Sequence, residues 1–142
     1  MPKFKKYRSE KLVNINTANY AVDWGGDCRS KFQKQVKVWL HPYWKMDICL
    51  EEMPVPGTRY SFDLVNLSKM IIVETNGIQH SQYNSFFHGK NRFNFHEQIV
   101  RDEAKREWSV ANGFTLVEIE PTDLPLTREF FFKNYGIQLT PV

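Results

Sequence analysis

The chain has 142 residues, 42% of them apolar and 25% charged, and a net charge of +3. That is enough for one domain with a real core and an ordinary balance for a soluble globular protein. No apolar run approaches a membrane span and no signal peptide is visible. Cys28 and Cys49 form no zinc pattern or disulfide framework, so a reducing cytoplasm is the expected compartment.

In chain order, residues 1–27 are polar and basic at the start, with Lys3, Lys5, Lys6 and Arg8 crowded together and a Gly25-Gly26 break. They read as a basic arm with little regular structure, suited to phosphates, ahead of a single domain over 28–142. Asp27 or Ser30 can cap a helix that runs to about His41, just before Pro42. Phe32, Val36, Trp39, Leu40 and Tyr43 form its apolar stripe. A half-exposed strand follows over Asp47–Val55, with Glu51 and Glu52 read as solvated strand charges. Pro54-Val55-Pro56-Gly57 is a turn.

Tyr60–Val65 alternates apolar and polar residues, and Met70–Val73 is a continuous apolar run, as in a strand buried on both faces. Asn66–Lys69 supplies the turn between them. Paired as an antiparallel hairpin, the two strands bring Asp63 beside Glu74, and period-two alternation points Glu74 and Asn76 the same way. Two carboxylates at the end of an apolar sheet are costly to bury unless neutralised. Their hard oxygens suit Mg²⁺, with Mn²⁺ as a substitute, and the Thr75 carbonyl supplies a third ligand at the strand end.

Ser81–Asn94 has no clear period. Its aromatics and its bases, including Lys90 and Arg92, suit contact with DNA. Phe95–Asn112 is the clearest helix, with Ile99, Val100, Ala104, Trp108 and Ala111 as its buried stripe and Gly113 as C-cap. Asp102 is spaced to pair with Lys105 and Arg106. Phe114–Glu118 reads as a strand. Thr127 caps a last helix over Arg128–Tyr135, stopped by Gly136. Phe130, Phe131 and Phe132 cannot all face one side, which leaves one of them for a homodimer interface.

Asp63 followed by Glu74-Thr75-Asn76 resembles the active-site signature of the PD-(D/E)XK nuclease superfamily. The string Glu-Thr-Asn-Gly-Ile-Gln-His from Glu74 to His80 is similar to that of very-short-patch-repair-like endonucleases and small phage homing endonucleases. So is Glu-Glu-x-Pro-Val-Pro-Gly-Thr-Arg from Glu51 to Arg59. The resemblance covers nearly the whole chain beyond the arm. It implies a restriction-endonuclease-like α/β (α+β) core, a mixed sheet flanked by helices in the order αβββαβ, with the last helix appended. It also implies a Mg²⁺-dependent endonuclease acting on double-stranded DNA in the cytoplasm of a phage-infected or bacterial cell.

Asp63, Glu74 and Thr75 would then hold the metal. Asn76 stands where the superfamily usually has Lys, so it can orient a water but brings no charge. His80 can serve as acid or base, and Lys105 can restore the missing cation. Gln33, at the place of a helix Glu, Gln79 and Asp102 complete the auxiliary set, with a solvated position as the plainer reading of Gln33. For Asp102 and Lys105 the plainer reading is an exposed ion pair. Two rivals share these residues: a structure-selective nuclease, either a mismatch nickase or a Holliday-junction resolvase, and a DNA-binding protein with a decayed site.

Overall fold

A computed structural model describes residues 1–76 and 91–142, the latter with side chains from residue 95 onward. The chain is a mixed α/β protein. A short antiparallel hairpin, β1 (Lys3–Lys5) and β2 (Leu12–Asn14), precedes helix α1 (Lys31–Trp44). Then come β3 (Cys49–Pro54), β4 (Ser61–Asn66), β5 (Ile71–Thr75), helix α2 (Asn91–Ala111), β6 (Thr115–Ile119) and helix α3 (Arg128–Tyr135). The four later strands form one sheet in the order β3-β4-β5-β6, antiparallel except for β5 with β6. From α1 to β6 the order is αβββαβ.

Two apolar layers sandwich the sheet. Val36, Leu40 and Trp44 of α1 pack with Phe131 of α3 on Leu64, Ile71, Val73, Val117 and Ile119. Trp108 of α2 packs with Phe4 and Ile15 on Leu50, Met53, Phe62, Val65 and Ile72. Alternation along β5 therefore sends Ile71 and Val73 to the α1 side and Ile72 to the α2 side.

The caps follow the sequence. Ser30 Oγ accepts from the Gln33 amide at 3.1 Å to start α1, and Thr127 Oγ1 accepts from the Phe130 amide at 3.1 Å to start α3. Gly113 and Gly136 close α2 and α3 with positive φ. Asn66 ends β4, fully buried, and its Oδ1 accepts from the Lys69 amide to shape the turn. Of the three consecutive phenylalanines, Phe131 is buried, Phe130 packs beside it, and Phe132 is exposed.

Three expectations are corrected. Residues 1–27 are not a loose arm. The Trp108 indole donates to the Lys5 carbonyl at 2.7 Å, the Tyr7 amide donates to the Pro56 carbonyl at 2.8 Å, and Ala21 bridges to Leu50. Phe4 and Ile15 are core residues, so the basic side chains ride on a packed hairpin. Helix α1 runs through Pro42 to Trp44, because the Trp44 side chain is fully buried and the Lys45 amide bonds to the His41 carbonyl. The hydrogen bond that Pro42 forgoes is the one to the carbonyl of Val38, an exposed residue. Finally, Val100 and Ala111 of α2 are exposed, while Asp102, Lys105 and Ser109 are buried with Ala104 and Trp108. The inward face of α2 is partly polar, and it lies over the carboxylates.

Candidate active site

Asp63 and Glu74 meet where β4 and β5 stop pairing. The regular ladder ends at Leu64 opposite Val73, and beyond it side chains take over the backbone bonds. The Asp63 amide donates to Glu74 Oε1 at 3.1 Å. Asp63 Oδ2 accepts from the Thr75 amide and the Thr75 hydroxyl, each at 2.8 Å. The two carboxylates thus lock the strand ends together and face one cleft.

Lys105 comes from α2. Its Nζ lies 3.0 Å from Glu74 Oε2 and 5.9 Å from the centre of the Phe62 ring, and both Lys105 and Glu74 are buried. The exposed Asp102–Lys105 pair is therefore corrected: the ammonium turns to Glu74, while buried Asp102 meets Arg101 at 3.3 Å. One residue on, Arg106 grips Glu118 with two bonds of 2.7 and 2.9 Å. Glu118 is the register partner of Glu74 across β5 and β6. Neighbouring cations of α2 thus seat on neighbouring carboxylates of the sheet.

Burial pushes the Glu74 carboxyl up to about 8, with the Asp63 charge adding to the rise and the Lys105 ammonium opposing it. Without a metal cation, burial and the Asp63 charge thus favour the protonated form of Glu74 against the pull of Lys105.

The cleft has a volume of about 330 Å³. Among the described residues, its floor is Asp63, Glu74, Thr75 and Asn76, and its walls include Gln33, Arg101 and Lys105. Gln33 is not solvated as expected. It is buried, and its Nε2 donates to Glu52 Oε1 at 3.0 Å. Glu52 also meets Arg29 at 2.5 Å and accepts from the Ser61 hydroxyl. This residue, read as a solvated strand charge, stands at φ +53° opposite Asp63, where the β3–β4 register skips a pair. That left-handed conformation is uncommon outside glycine. Here it turns the carboxylate toward the cleft wall. Glu51 is likewise engaged: it accepts from Lys37 Nζ at 2.9 Å and from the Asp23 amide at 2.7 Å.

The cleft collects cations that the sequence reading missed. Arg29, Arg59 and Arg101 line it with Lys105, against Asp63 and Glu74 as its acidic groups. No sequence signal marks Arg29 or Arg101, and Arg59 enters only as the last residue of the string from Glu51, because the three come from the lead-in to α1, the β3–β4 turn and α2. The basic residues that did stand out lie elsewhere. Lys5, Lys6 and Arg8 line a separate hollow of about 260 Å³ beside Glu107, Trp108 and Ala111, further along α2. Lys5 pairs with Glu10 there and Arg8 with Glu107, and Lys3 lies on the same hairpin. Gln79, His80 and Lys90, and the side chain of Arg92, lie outside the described residues.

The donor set fits a hard divalent ion. Asp63 and Glu74 offer carboxylate oxygens, and Asp63 Oδ1 accepts no bond from a described residue. Mg²⁺ typically takes one or two carboxylates and leaves its other positions to water and phosphate. Among the described residues no group of three or more His, Cys, Asp or Glu side chains gathers as for a cage of protein ligands.

No family profile matches the chain, and no solved structure matches it. It is 32% identical over 96 residues to "Uncharacterized protein 033L" of Invertebrate iridescent virus 3, a match that takes in 68% of this chain and 47% of that protein. The chain thus spans about half the length of this relative, whose name carries no activity. Among the described residues, no helix is long and apolar enough to cross a membrane.

Proposed function

We propose that the protein is a Mg²⁺-dependent endonuclease of the PD-(D/E)XK type acting on double-stranded DNA, most similar to phage homing endonucleases. One observation carries the reading: Asp63, Glu74 and the buried Lys105 ammonium converge in an arginine-lined cleft at the end of the central sheet. The αβββαβ order and the resemblance of residues 51–59 and 74–80 support it. The viral origin of the relative is compatible with it.

In this reading Asp63, Glu74 and the Thr75 carbonyl hold the ion. Bound there, it would polarise the phosphate and ease formation of hydroxide. The protein supplies the rest. Thr75 fixes the Asp63 carboxylate through two bonds to Oδ2, which leaves Oδ1 without a bond from any described residue. Lys105 holds a positive charge beside the floor, where a scissile phosphate gains negative charge as it is attacked. That charge stands in for the lysine that Asn76 replaces. Asn76, buried at the floor, orients the attacking water through its amide.

The test is plasmid and linear duplex cleavage by purified protein with Mg²⁺, beside Asp63→Ala and Glu74→Ala. Both substitutions should abolish cleavage while DNA affinity persists. Near-normal cleavage by either variant removes the metal-site assignment. Binding without cleavage by the unaltered protein favours the decayed-site reading, for which Asn76 is the specific argument.

A further inference from the structure

We infer that the DNA backbone is gripped by Arg29, Arg59 and Arg101 around the carboxylate floor, and that each guanidinium is held ready by a carboxylate of its own. The inference rests on the proposed nuclease reading for the identity of the polyanion, and it moves the phosphate contacts from the N-terminal basic residues to the cleft rim.

Each arginine belongs to a different element, yet all line the cleft that holds Asp63 and Glu74. Among the described residues each also has an acidic partner: Arg29 meets Glu52 at 2.5 Å, Arg59 meets Glu97 at 3.2 Å, and Arg101 meets Asp102 at 3.3 Å. A guanidinium presents a planar fork of donors that suits carboxylate and phosphate alike. The internal carboxylate therefore keeps the fork aimed at the cleft until a phosphate oxygen competes for it. The Arg29 and Arg59 side chains are 70% and 78% exposed, so screened pairs of this kind are weak enough to exchange.

The supports of the two exposed arginines are built in. Glu52, which meets Arg29, stands at the uncommon φ of +53°. The turn that carries Arg59 is pinned to the hairpin by the Tyr7 amide on the Pro56 carbonyl. Arg59 also stands 5.8 Å over the ring of Tyr60, which lines the same cleft. Arg101 lies one helical turn before Lys105, so one face of α2 carries a rim cation and the floor cation together. The N-terminal cations share no lining residue with this cleft.

The test is fluorescence anisotropy of a short labelled duplex with EDTA present, so that binding is read without cleavage, over a series of salt concentrations. The Arg29→Gln/Arg59→Gln double variant should lower the slope of log K against log[salt] by about 1.8, at about 0.9 for each phosphate contact. Arg101→Gln, checked for folding by its melting curve, should lower it by about 0.9. Glu97→Gln removes the carboxylate that keeps Arg59 aimed and should weaken binding about two- to fivefold, the scale of one exposed pair; tighter binding overturns the holding role of the carboxylate. Lys5→Gln with Arg8→Gln should leave the slope unchanged.

A wild-type slope in the double variant, or a loss confined to the Lys5/Arg8 variant, overturns the rim. If that happens while the unaltered protein still cuts DNA with Mg²⁺, the nuclease reading survives alone. If the rim variants behave as expected and no cleavage occurs, the rim stands and the nuclease reading falls. Absence of any duplex binding by the unaltered protein overturns the rim as well.

Discussion

Glu74 is a carboxylate whose environment opposes its charge. Its proton affinity is raised to about 8, chiefly by burial and then by Asp63. An unfolded chain would release that proton near pH 4.5, so between about 4.5 and 8 unfolding sheds a proton and stability falls as pH rises. Glu74→Gln should flatten this part of a melting-temperature profile taken without divalent ions. A cation must displace the same proton. Mg²⁺ affinity should rise up to about tenfold per pH unit and level off above about 8. Calorimetry in buffers of different ionisation enthalpy should show up to one proton released per ion below that pH, and none in Glu74→Gln. Lys105 is the second residue on which the proposed chemistry turns. A preorganised charge of this kind is typically worth roughly 10²–10³ in rate. Lys105→Ala should lower single-turnover cleavage by that factor, and Lys105→Arg should restore only part of it, because the fork cannot reproduce a point charge 3.0 Å from Glu74. An unchanged rate in Lys105→Ala would leave Asn76 and groups outside the described residues to carry the reaction.

At the scale of elements, the carboxylates were legible because strand alternation is a local property. Asp63 and Glu74 sit in runs whose pattern sets their facing and, through the hairpin, their adjacency. Lys105 was legible because it neighbours Ala104 and Trp108 on the helix that docks over that hairpin. The inward face of α2 was misjudged for a related reason. Hydrophobicity favours Val100 and Ala111 as buried, but the helix turns Lys105 to Glu74 and Arg106 to Glu118 with Trp108 in the core. The arginine rim was not legible, since it is assembled from three elements distant in sequence. One element-scale requirement does show as a glycine. Gly57 stands at φ +88°, and a Cβ there would lie 2.7 Å from the Tyr7 amide nitrogen. Gly57→Ala should cost at least about 1 kcal/mol from the backbone conformation, plus whatever displacement of the hairpin requires. A lowered urea midpoint with unchanged m-value would report it. Loss of duplex affinity beyond the loss of stability would place the Arg59 turn in the interface.

For the whole molecule, the least legible feature is the N-terminal segment, where charge concealed packing. Lys3, Lys5, Lys6 and Arg8 suggested an extended arm, but between them Phe4 points inward. Its ring lies 5.7 Å from that of Trp108 and 5.6 Å from that of Phe114. Trp108 in turn meets Phe62 at 5.4 Å and stacks on Phe114 at 5.7 Å. The hairpin thereby closes an aromatic layer that clamps α2 to the sheet, on the helix that also carries Lys105. An arm on DNA and a lid on the core make opposite predictions. Phe4→Ala removes a buried aromatic side chain from packed rings and should cost about 3 kcal/mol or more of folding stability, measurable by urea denaturation. Lys3→Ala, at an exposed position one residue before it, should change stability by less than about 0.5 kcal/mol. Because α2 is anchored through Trp108, Phe4→Ala should also lower the single-turnover rate at temperatures where the fold persists, while duplex affinity changes less. If Phe4→Ala instead left stability and rate intact and weakened DNA binding alone, the hairpin would be an arm after all, and the seat of Lys105 would have to rest on the sheet contacts by themselves.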